Sequence, residues 1–290
     1  MTGTRTFITG DGCTIAYRLD GEAGRPVLVL SNSIATTHLM WDGQIADLAR
    51  TFQVLRYDTR GHGLSDAPAG AWSLDRLGRD VLELTDALGI GRFHFCGLSL
   101  GGFVGQWLGV RAPERLDRLI LSNTSPYLGP APQWDALINT VLGARDMSAL
   151  ADMFMANWFP QHMRTHQPEI VERFRAMVMA TSPEGLAGCF AVVRDSDLRR
   201  TNALVTVPTL VIGGIDDTVT LASHSEQIAE TIPGARLALL PGVHMLNVEQ
   251  AKDFVELVTT FLTNDPLLES RTLIRNSIER RDAAHSHAIP

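Results

Sequence analysis

FHFCGLSLGGFVG, residues 93–105, places a single serine among glycines at the point where an alternating apolar run ends. Gly97, Gly101 and Gly102 surround Ser99. Because glycine is costly inside a helix or a strand, three glycines this close together indicate a backbone turn that leaves no room for side chains. The stretch therefore predicts a strand, a tight turn that carries Ser99, and a helix after the turn.

The rest of the first half and the end of the chain alternate between strands and helices. The run VLVL at 27–30 is typical of a strand that is buried on both faces of a parallel sheet. Residues 73–89 have leucine and valine at helical spacing, with Ser73 as the N-cap and Gly89 at the end. Residues 101–114 and 247–265 predict two further helices. Strands are predicted at 26–31, 52–58, 92–97, 116–123, 207–214 and 235–242.

The middle of the chain follows a different pattern. Between residues 126 and 204 the apolar spacing is helical, and no strand is predicted. The simplest organisation is a mostly parallel α/β core, residues 1–125 and 205–264, interrupted by a helical cap, residues 126–204. The polar remainder, residues 265–290, predicts a C-terminal tail that is disordered or loosely docked.

Composition and charge exclude several classes of function. The 290 residues carry a net charge of −7, so no broad basic surface for nucleic acid is expected. No window approaches the ~18–20 apolar residues that cross a bilayer, and the first ten residues lack the features of a signal peptide. The three cysteines lie far apart, which predicts neither a disulfide framework nor a zinc or other metal site. We therefore expect a cytoplasmic protein without membrane association.

Residues 97–101 match G-x-S-x-G, the pattern of a nucleophile elbow. Such a turn lifts the serine hydroxyl above the sheet edge, and the next helix points its N-terminal N–H groups at developing negative charge. The pentapeptide alone has low specificity, but the strand before it and the helix after it favour Ser99 as a nucleophile. The alternative is a plain turn between a strand and a helix.

A serine nucleophile needs a base and a group that orients the base. His244 follows the last predicted strand, in a loop that opens at the same edge of a doubly wound sheet as Ser99. The alternative for a lone loop histidine is an ordinary surface residue. Asp216 and Asp217 follow the strand at 207–214 and share this edge; we take Asp217 as the acid and keep Asp216 as the alternative. The order Ser, Asp, His along the chain fits this assignment.

An oxyanion hole requires two aligned N–H donors. Leu100, directly after the candidate nucleophile, is expected to supply one. The loop after the first apolar run, SNSIATTHLMW, is expected to supply the other, and Ile34 is the candidate donor. Ser33 is expected to stabilise this loop through its hydroxyl.

Four segments together resemble 3-oxoadipate enol-lactonases, a branch of the α/β-hydrolase superfamily: LSNS (30–33), LRYDTRGHGLSDAP (55–68), FCGLSLGG (95–102) and GCFAVVRDSDLR (188–199). The resemblance spans about residues 8–264 and implies an α/β-hydrolase fold with a helical cap, no cofactor, and hydrolysis of a lactone in aromatic-compound breakdown. It also supports Asp217 as the acid and implies that RGHG is a structural turn. One departure is Ala35, which stands where these enzymes usually have a glycine.

The substrate of the resembled enzymes carries a carboxylate, so a cation is expected to face the pocket; Arg194 is the candidate, and Arg145, Arg164 and Arg173 are the alternatives. Trp134 and Trp158 are candidates for lining the same pocket. The alternative for Arg194 is a solvated or salt-bridged side chain, and for the tryptophans it is packing inside the cap.

Other functions remain open. The expected partner is a small-molecule lactone or ester, but a carboxylesterase, another lactonase such as an acyl-homoserine type, or a C–C bond hydrolase of ring-cleavage products fits the same residues. A different class is a non-catalytic small-molecule receptor, because one fold hosts many functions. A homo-oligomer is compatible with the sequence.

Overall fold

A sheet of eight strands forms the centre of residues 3–263, the part of the chain that the computed structural model describes. The strands are β1 (Arg5–Ile8), β2 (Thr14–Asp20), β3 (Val27–Ser31), β4 (Gln53–Tyr57), β5 (Phe93–Leu98), β6 (Leu116–Ser122), β7 (Thr209–Gly214) and β8 (Arg236–Leu240). They lie in the order β1-β2-β4-β3-β5-β6-β7-β8. The six strands β4-β3-β5-β6-β7-β8 of this order pair in parallel, whereas β2 is antiparallel to β1 and β4. The predicted mostly parallel sheet is confirmed.

Helices follow most of the parallel strands. They are α1 (Asp42–Leu48), α2 (Leu74–Ala87), α3 (Leu100–Arg111), α4 (Ala131–Leu142), α5 (Ser148–Trp158), α6 (Gln161–His166), α7 (Pro168–Ala180), α8 (Pro183–Asp195), α9 (Ala222–Thr231), α10 (Leu246–Glu249) and α11 (Ala251–Thr263). Short 3₁₀ helices lie at His38–Trp41, Pro113–Arg115 and Thr201–Leu204. The helix predicted at 247–265 is divided into α10 and α11, which meet at Gln250.

Strands β1 and β2 were not predicted. They form an antiparallel hairpin at one edge of the sheet, and β1 is mostly exposed. The sequence does carry a signal for them. Ile15, Tyr17 and Leu19 alternate with other residues along β2, and Gly12 takes a positive φ of 84° in the turn before it. A glycine-containing turn between two alternating runs is typical of a hairpin.

Helix α2 forms as its sequence predicts. The Ser73 side chain accepts a hydrogen bond from the Arg76 N–H at 3.2 Å, and Gly89 follows the helix with a φ of 70°. Leu77, Val81 and other apolar residues of α2 are buried. Capping at both ends and one apolar face therefore explain both its limits and its position on the core.

Helices α4 to α8 all lie between β6 and β7. Within this segment, the strand-type pairing described is one isolated bridge, between Tyr127 and Asp197. The helical insertion is confirmed, whereas its exact domain boundaries stay a prediction. The predicted tail, 265–290, lies outside the described residues.

None of the helices in residues 3–263 is by itself long and apolar enough to cross a membrane. Helices α7 and α8 meet such a length and composition test only as a pair, which is bent by 95°.

The sheet brings the carboxyl ends of its central strands to one edge. Strand β5 is buried along its whole length and lies between β3 and β6. Ser31 pairs with Gly97, and Leu98 pairs with Ser122, so three strands end at the same level. The turns after these strands therefore face one another, as the position of a site in an open α/β sheet requires.

Candidate active site

The turn that carries Ser99 is as tight as its glycines predict. Ser99 has a φ of 58° and a ψ of −114°, a conformation that L-residues rarely adopt. A Cβ on Gly97 would lie 2.0 Å from the Gly101 carbonyl oxygen, and a Cβ on Gly101 would lie 2.3 Å from the Ser31 carbonyl oxygen. The prediction that side chains do not fit around this turn is confirmed.

His244 and Asp217 form a buried pair after β8 and β7. His244 Nδ1 lies 2.8 Å from Asp217 Oδ2. The same carboxylate oxygen accepts hydrogen bonds from Asn123 Nδ2 at 3.0 Å and from Thr220 Oγ1 at 2.8 Å. The other oxygen accepts from the main-chain N–H groups of Val219 at 2.8 Å and Thr220 at 3.0 Å. These contacts fix the carboxylate and, through it, the imidazole ring.

The electrostatics of the pair favour an ionised carboxylate. Burial alone would raise the pKa of Asp217, but the His244 imidazole and the hydrogen bonds from His244, Asn123 and Thr220 hold this pKa well below its usual range. An ionised Asp217 stabilises the imidazole tautomer that carries its proton on Nδ1. That tautomer leaves Nε2 free to accept a proton.

His244 Nε2 is buried and has no hydrogen-bond partner among residues 3–263, so it makes no hydrogen bond to Ser99 Oγ. Both side chains nevertheless line the same cavity. Catalytic hydrogen bonds are often long before a substrate binds, so this geometry is compatible with a base and its nucleophile. The Trp158 ring stacks beside the imidazole, with ring centres 6.4 Å apart and planes 23° apart.

The two aspartates after β7 have different environments. Asp217 is buried against His244, whereas Asp216 is exposed. The Asp216 main-chain N–H donates to the Gly242 carbonyl oxygen at 3.0 Å, which joins the loops after β7 and β8. Of the two candidates that the sequence leaves open, the structure brings only Asp217 to the histidine.

The candidate oxyanion loop is held by His62 of the RGHG turn. The Ala35 N–H donates to His62 Nε2 at 2.8 Å, and burial lowers the pKa of His62, which keeps the ring neutral and able to accept. Ala35 has a φ of 56°, in the region that favours glycine. Ile34, directly before it, and Leu100, the first residue of α3, line the cavity beside Ser99.

The expectation for Ser33 is wrong. Its hydroxyl is buried without a hydrogen-bond partner among the described residues. Its main chain stabilises the loop instead: the Ser33 carbonyl oxygen accepts from Thr36 Oγ1 at 2.7 Å, and the Ser33 N–H contacts Met40 Sδ at 3.3 Å. The short side chain therefore fits the loop without bonding to it.

A cavity of about 620 Å³ is lined by Ser99 and His244, two of the three candidate catalytic residues. Trp134 and Trp158 line it, as the sequence predicts. The Trp134 Nε1–H donates to the Leu128 carbonyl oxygen, which fixes the indole at the cavity wall. Further apolar side chains complete the wall: Phe103, Leu137, Met153, Phe154, Phe190 and Val219.

The prediction that Arg194 faces this cavity is wrong. Its guanidinium contacts Asp135 at 2.8 Å and Asp195 at 2.7 Å, and Arg194 lines a separate surface depression. Two carboxylates, one on the neighbouring helix α4 and one next to Arg194 in the sequence, hold the cation outside. The acidic partner on α4 lies far away in sequence, so only the folded chain reveals it.

Two residues around the candidate acid were missed. Asn123 directly follows β6 at the common sheet edge and also donates to the Val243 carbonyl oxygen at 3.2 Å. Thr220 lies three residues after Asp217, whose carboxylate accepts from its main-chain N–H and its hydroxyl, whereas the N–H of Val219, two residues after the aspartate, closes an Asx turn. The spacing of Asp217 and Thr220, and the position of Asn123 after a core strand, were available signals.

A serine turn after β5, with an aspartate after β7 and a histidine after β8, is the arrangement of the alpha/beta hydrolase fold. Residues 26–251 match the family model described by that name, and the chain belongs to the alpha/beta hydrolase family.

Within this family the chain is similar to enol-lactonases. It is 36% identical to 3-oxoadipate enol-lactonase 2 of Acinetobacter baylyi over 247 residues, which cover 85% of this chain and 92% of the relative. Among solved structures, a hydrolase from Pseudomonas aeruginosa is 57% identical with a TM-score of 0.88, covering 89% of this chain and 98% of that one. The enol-lactonase of Burkholderia xenovorans is 37% identical with a TM-score of 0.87, covering 89% of this chain and all of its own, 100%.

Proposed function

We propose that this protein is a serine hydrolase that opens a lactone or ester through an acyl-enzyme on Ser99. The observation that carries the proposal is that Ser99 and the buried Asp217–His244 pair open into one cavity. A hydroxyl nucleophile, a base and a group that orients the base are the three parts that acyl transfer requires. The similarity to enol-lactonases supports the same chemistry.

In the first step, His244 Nε2 takes the proton of the Ser99 hydroxyl as Oγ attacks the substrate carbonyl carbon. Asp217 holds the imidazole in position and stabilises the positive charge that develops on it. The main-chain N–H groups of Ile34 and Leu100 hydrogen-bond the oxyanion. Leu100 begins α3, so the helix N-terminus adds favourable electrostatic potential at the same point.

In the second step, the C–O bond of the ring or ester breaks and the protonated His244 gives its proton to the leaving group. Water then attacks the acyl group on Ser99, with His244 as the base. The ester bond to Oγ breaks, the acid leaves, and His244 returns a proton to the serine hydroxyl. When the leaving group is an enol, it tautomerises to a ketone, so the ring does not close again. An enol-lactone is therefore a substrate whose opening is effectively irreversible.

The candidate substrate is 3-oxoadipate enol-lactone, which would place the reaction in the breakdown of aromatic compounds. The relatives from Acinetobacter baylyi and Burkholderia xenovorans support the enol-lactone ring as the reacting group. We further propose that residues 126–204 act as the cap, because Trp134 and Trp158 reach the cavity from this segment.

A panel of substrates tests the proposal. The rates of ring opening of 3-oxoadipate enol-lactone, of p-nitrophenyl ester hydrolysis and of C–C cleavage of a ring-cleavage product are compared for the wild type and for Ser99→Ala. We expect the lactone or ester to react fastest and Ser99→Ala to lose on the order of 10⁶-fold in kcat. A preference for the C–C substrate, or an active Ser99→Ala, would contradict the proposal. Tight binding without turnover would favour a receptor.

A further inference from the structure

Side chains hold the main chain of the candidate oxyanion loop, residues 31–41, on both sides of Ile34. The Ser33 N–H contacts Met40 Sδ at 3.3 Å, and the Ala35 N–H donates to His62 Nε2 at 2.8 Å. The N–H of Ile34, which lies between them and lines the cavity, has no acceptor among residues 3–263. The two neighbouring N–H groups are therefore occupied, and the one between them is free to donate to a bound group.

The peptide group that carries the Ile34 N–H is also held through its carbonyl. This carbonyl belongs to Ser33, and it accepts from Thr36 Oγ1 at 2.7 Å. In a trans peptide the C=O and the N–H point in opposite directions, so a fixed carbonyl also fixes the direction of the N–H. The Ile34 N–H therefore points away from Thr36.

His62 is in the tautomer that can accept a hydrogen bond from Ala35. Its ring is buried, and Nδ1 lies 3.1 Å from the Arg60 carbonyl oxygen. A carbonyl oxygen only accepts, so the proton of the neutral ring lies on Nδ1 and the lone pair on Nε2 faces the Ala35 N–H. The ring is thus fixed by one nitrogen and holds the loop with the other.

The main chain at Ala35 requires such a contact. Its φ of 56° lies in the left-handed region, where residues other than glycine persist only when the surrounding structure holds them. The same turn holds the loop at a second point, because Asp58 Oδ1 accepts from the His38 N–H at 2.7 Å and lies 2.8 Å from His38 Nδ1. The segment from Asp58 to His62 therefore supports the loop on both sides of Thr36.

We propose that His62 is a positioning residue of the oxyanion hole. Through the Ala35 N–H it keeps the loop in the conformation that aims the Ile34 N–H at the oxyanion, and Met40 supports the same conformation through the Ser33 N–H. His62 does not line the cavity, so it acts through the main chain and touches no reacting atom. This inference rests on the proposed serine hydrolase function and adds to it a role for the RGHG turn.

Two variants of the full-length protein separate the two ring nitrogens. The amide oxygen of His62→Gln reaches the position of Nε2 and can still accept from Ala35. The shorter amide of His62→Asn reaches only the position of Nδ1, so it keeps a donor for the Arg60 carbonyl oxygen and loses the acceptor for Ala35. We measure kcat and KM for p-nitrophenyl ester hydrolysis.

We expect His62→Asn to lower kcat by about 100-fold and to change KM by less than about threefold, because the oxyanion forms only in the transition state. His62→Gln should keep kcat within about tenfold of the wild type, since the acceptor is retained. The Ki of a trifluoromethyl ketone, whose adduct on Ser99 carries an oxyanion, should rise in His62→Asn by the same factor by which kcat/KM falls.

His94→Asn is the matched control. His94 is also buried, but it lies in β5 and does not line the cavity, so its replacement should leave kcat unchanged. Equal kcat in His62→Asn and His62→Gln, or a fall of the same size in His94→Asn, would overturn the inference, since a general loss of packing would then explain the result.

Met40→Leu gives a second test, which decides the matter if His62→Asn does not fold. It removes the sulfur acceptor for the Ser33 N–H at nearly the same volume. We expect kcat to fall by about 3- to 10-fold, the effect of one hydrogen bond, with KM unchanged. A wild-type kcat in Met40→Leu would then overturn the inference. If the wild type hydrolyses neither lactones nor esters, the proposed function fails and the inference with it, whereas an active wild type and an equally active His62→Asn refute the inference alone.

Discussion

Replacing Gly97 by alanine puts a methyl group into the main chain of the turn that carries Ser99. The new Cβ would lie 2.0 Å from the Gly101 carbonyl oxygen and 2.8 Å from the Gly102 nitrogen, whereas ordinary contacts begin at 3.4 Å. Both atoms belong to the main chain, so neither can rotate away as a side chain would. Strand β5 or helix α3 must therefore shift by more than about 1 Å, and overpacking of this kind costs about 1–3 kcal/mol or more.

We expect Gly97→Ala to lower the free energy of unfolding by about 3 kcal/mol, measured by urea denaturation. Because Ser99 moves with the turn, kcat/KM for ester hydrolysis should fall by about 100-fold. Gly43→Ala is the control: Gly43 is exposed in α1, and no atom lies within 4 Å of its added Cβ. It should raise stability by about 0.5–1 kcal/mol. A Gly97→Ala protein with wild-type stability and activity would refute the steric explanation of the turn.

Asp217→Asn should lower kcat by about 10⁴-fold in an ester assay, because the imidazole loses the acceptor that sets its tautomer. The pKa of Asp217 is lower in the folded state than in the unfolded state, so the ionised carboxylate stabilises the fold above about pH 4, and this stabilisation is lost as the pH falls. The difference in the free energy of unfolding between wild type and Asp217→Asn, measured by urea titration, should therefore shrink from about pH 7 to about pH 3. Arg60→Leu removes the guanidinium that lies 2.6 Å from the buried Asp80, which keeps its contact with Arg76 at 3.1 Å, and should cost about 1.5–3 kcal/mol. Arg79→Leu removes an exposed pair with Asp75 and should cost under about 0.5 kcal/mol by the same assay, and equal costs would contradict the account.

The sequence predicts the parallel core well because its strands are rich in apolar residues. Buried strands such as β3 and β5 have no exposed face, so their composition alone identifies them. The edge strand β1 is mostly exposed, and its pattern is correspondingly weak. The residues at turns were equally informative. The glycines around Ser99 mark the turn between β5 and α3, and the Ser73 side chain caps the first turn of α2, so both helix starts could be predicted.

The site was predicted to the extent that topology determines it. The parallel strands end at one edge of the sheet, so the proximity of the loops with Ser99, Asp217 and His244 could be predicted from the sequence. Contacts between distant helices could not: Arg194 meets Asp135 only because α4 and α8 pack together. The choice between neighbouring aspartates likewise depends on which side chain turns inward, and residue order does not specify that.

Covalent labelling of Ser99 tests the central claim most directly. The protein is incubated with a fluorophosphonate, and the adduct is located and timed by mass spectrometry in the wild type, Ser99→Ala and His244→Ala. We predict one adduct on Ser99 in the wild type, none in Ser99→Ala, and a rate that falls by orders of magnitude in His244→Ala. An unlabelled Ser99 in the wild type, or labelling that proceeds as fast without His244, would contradict the claim that this histidine activates this serine.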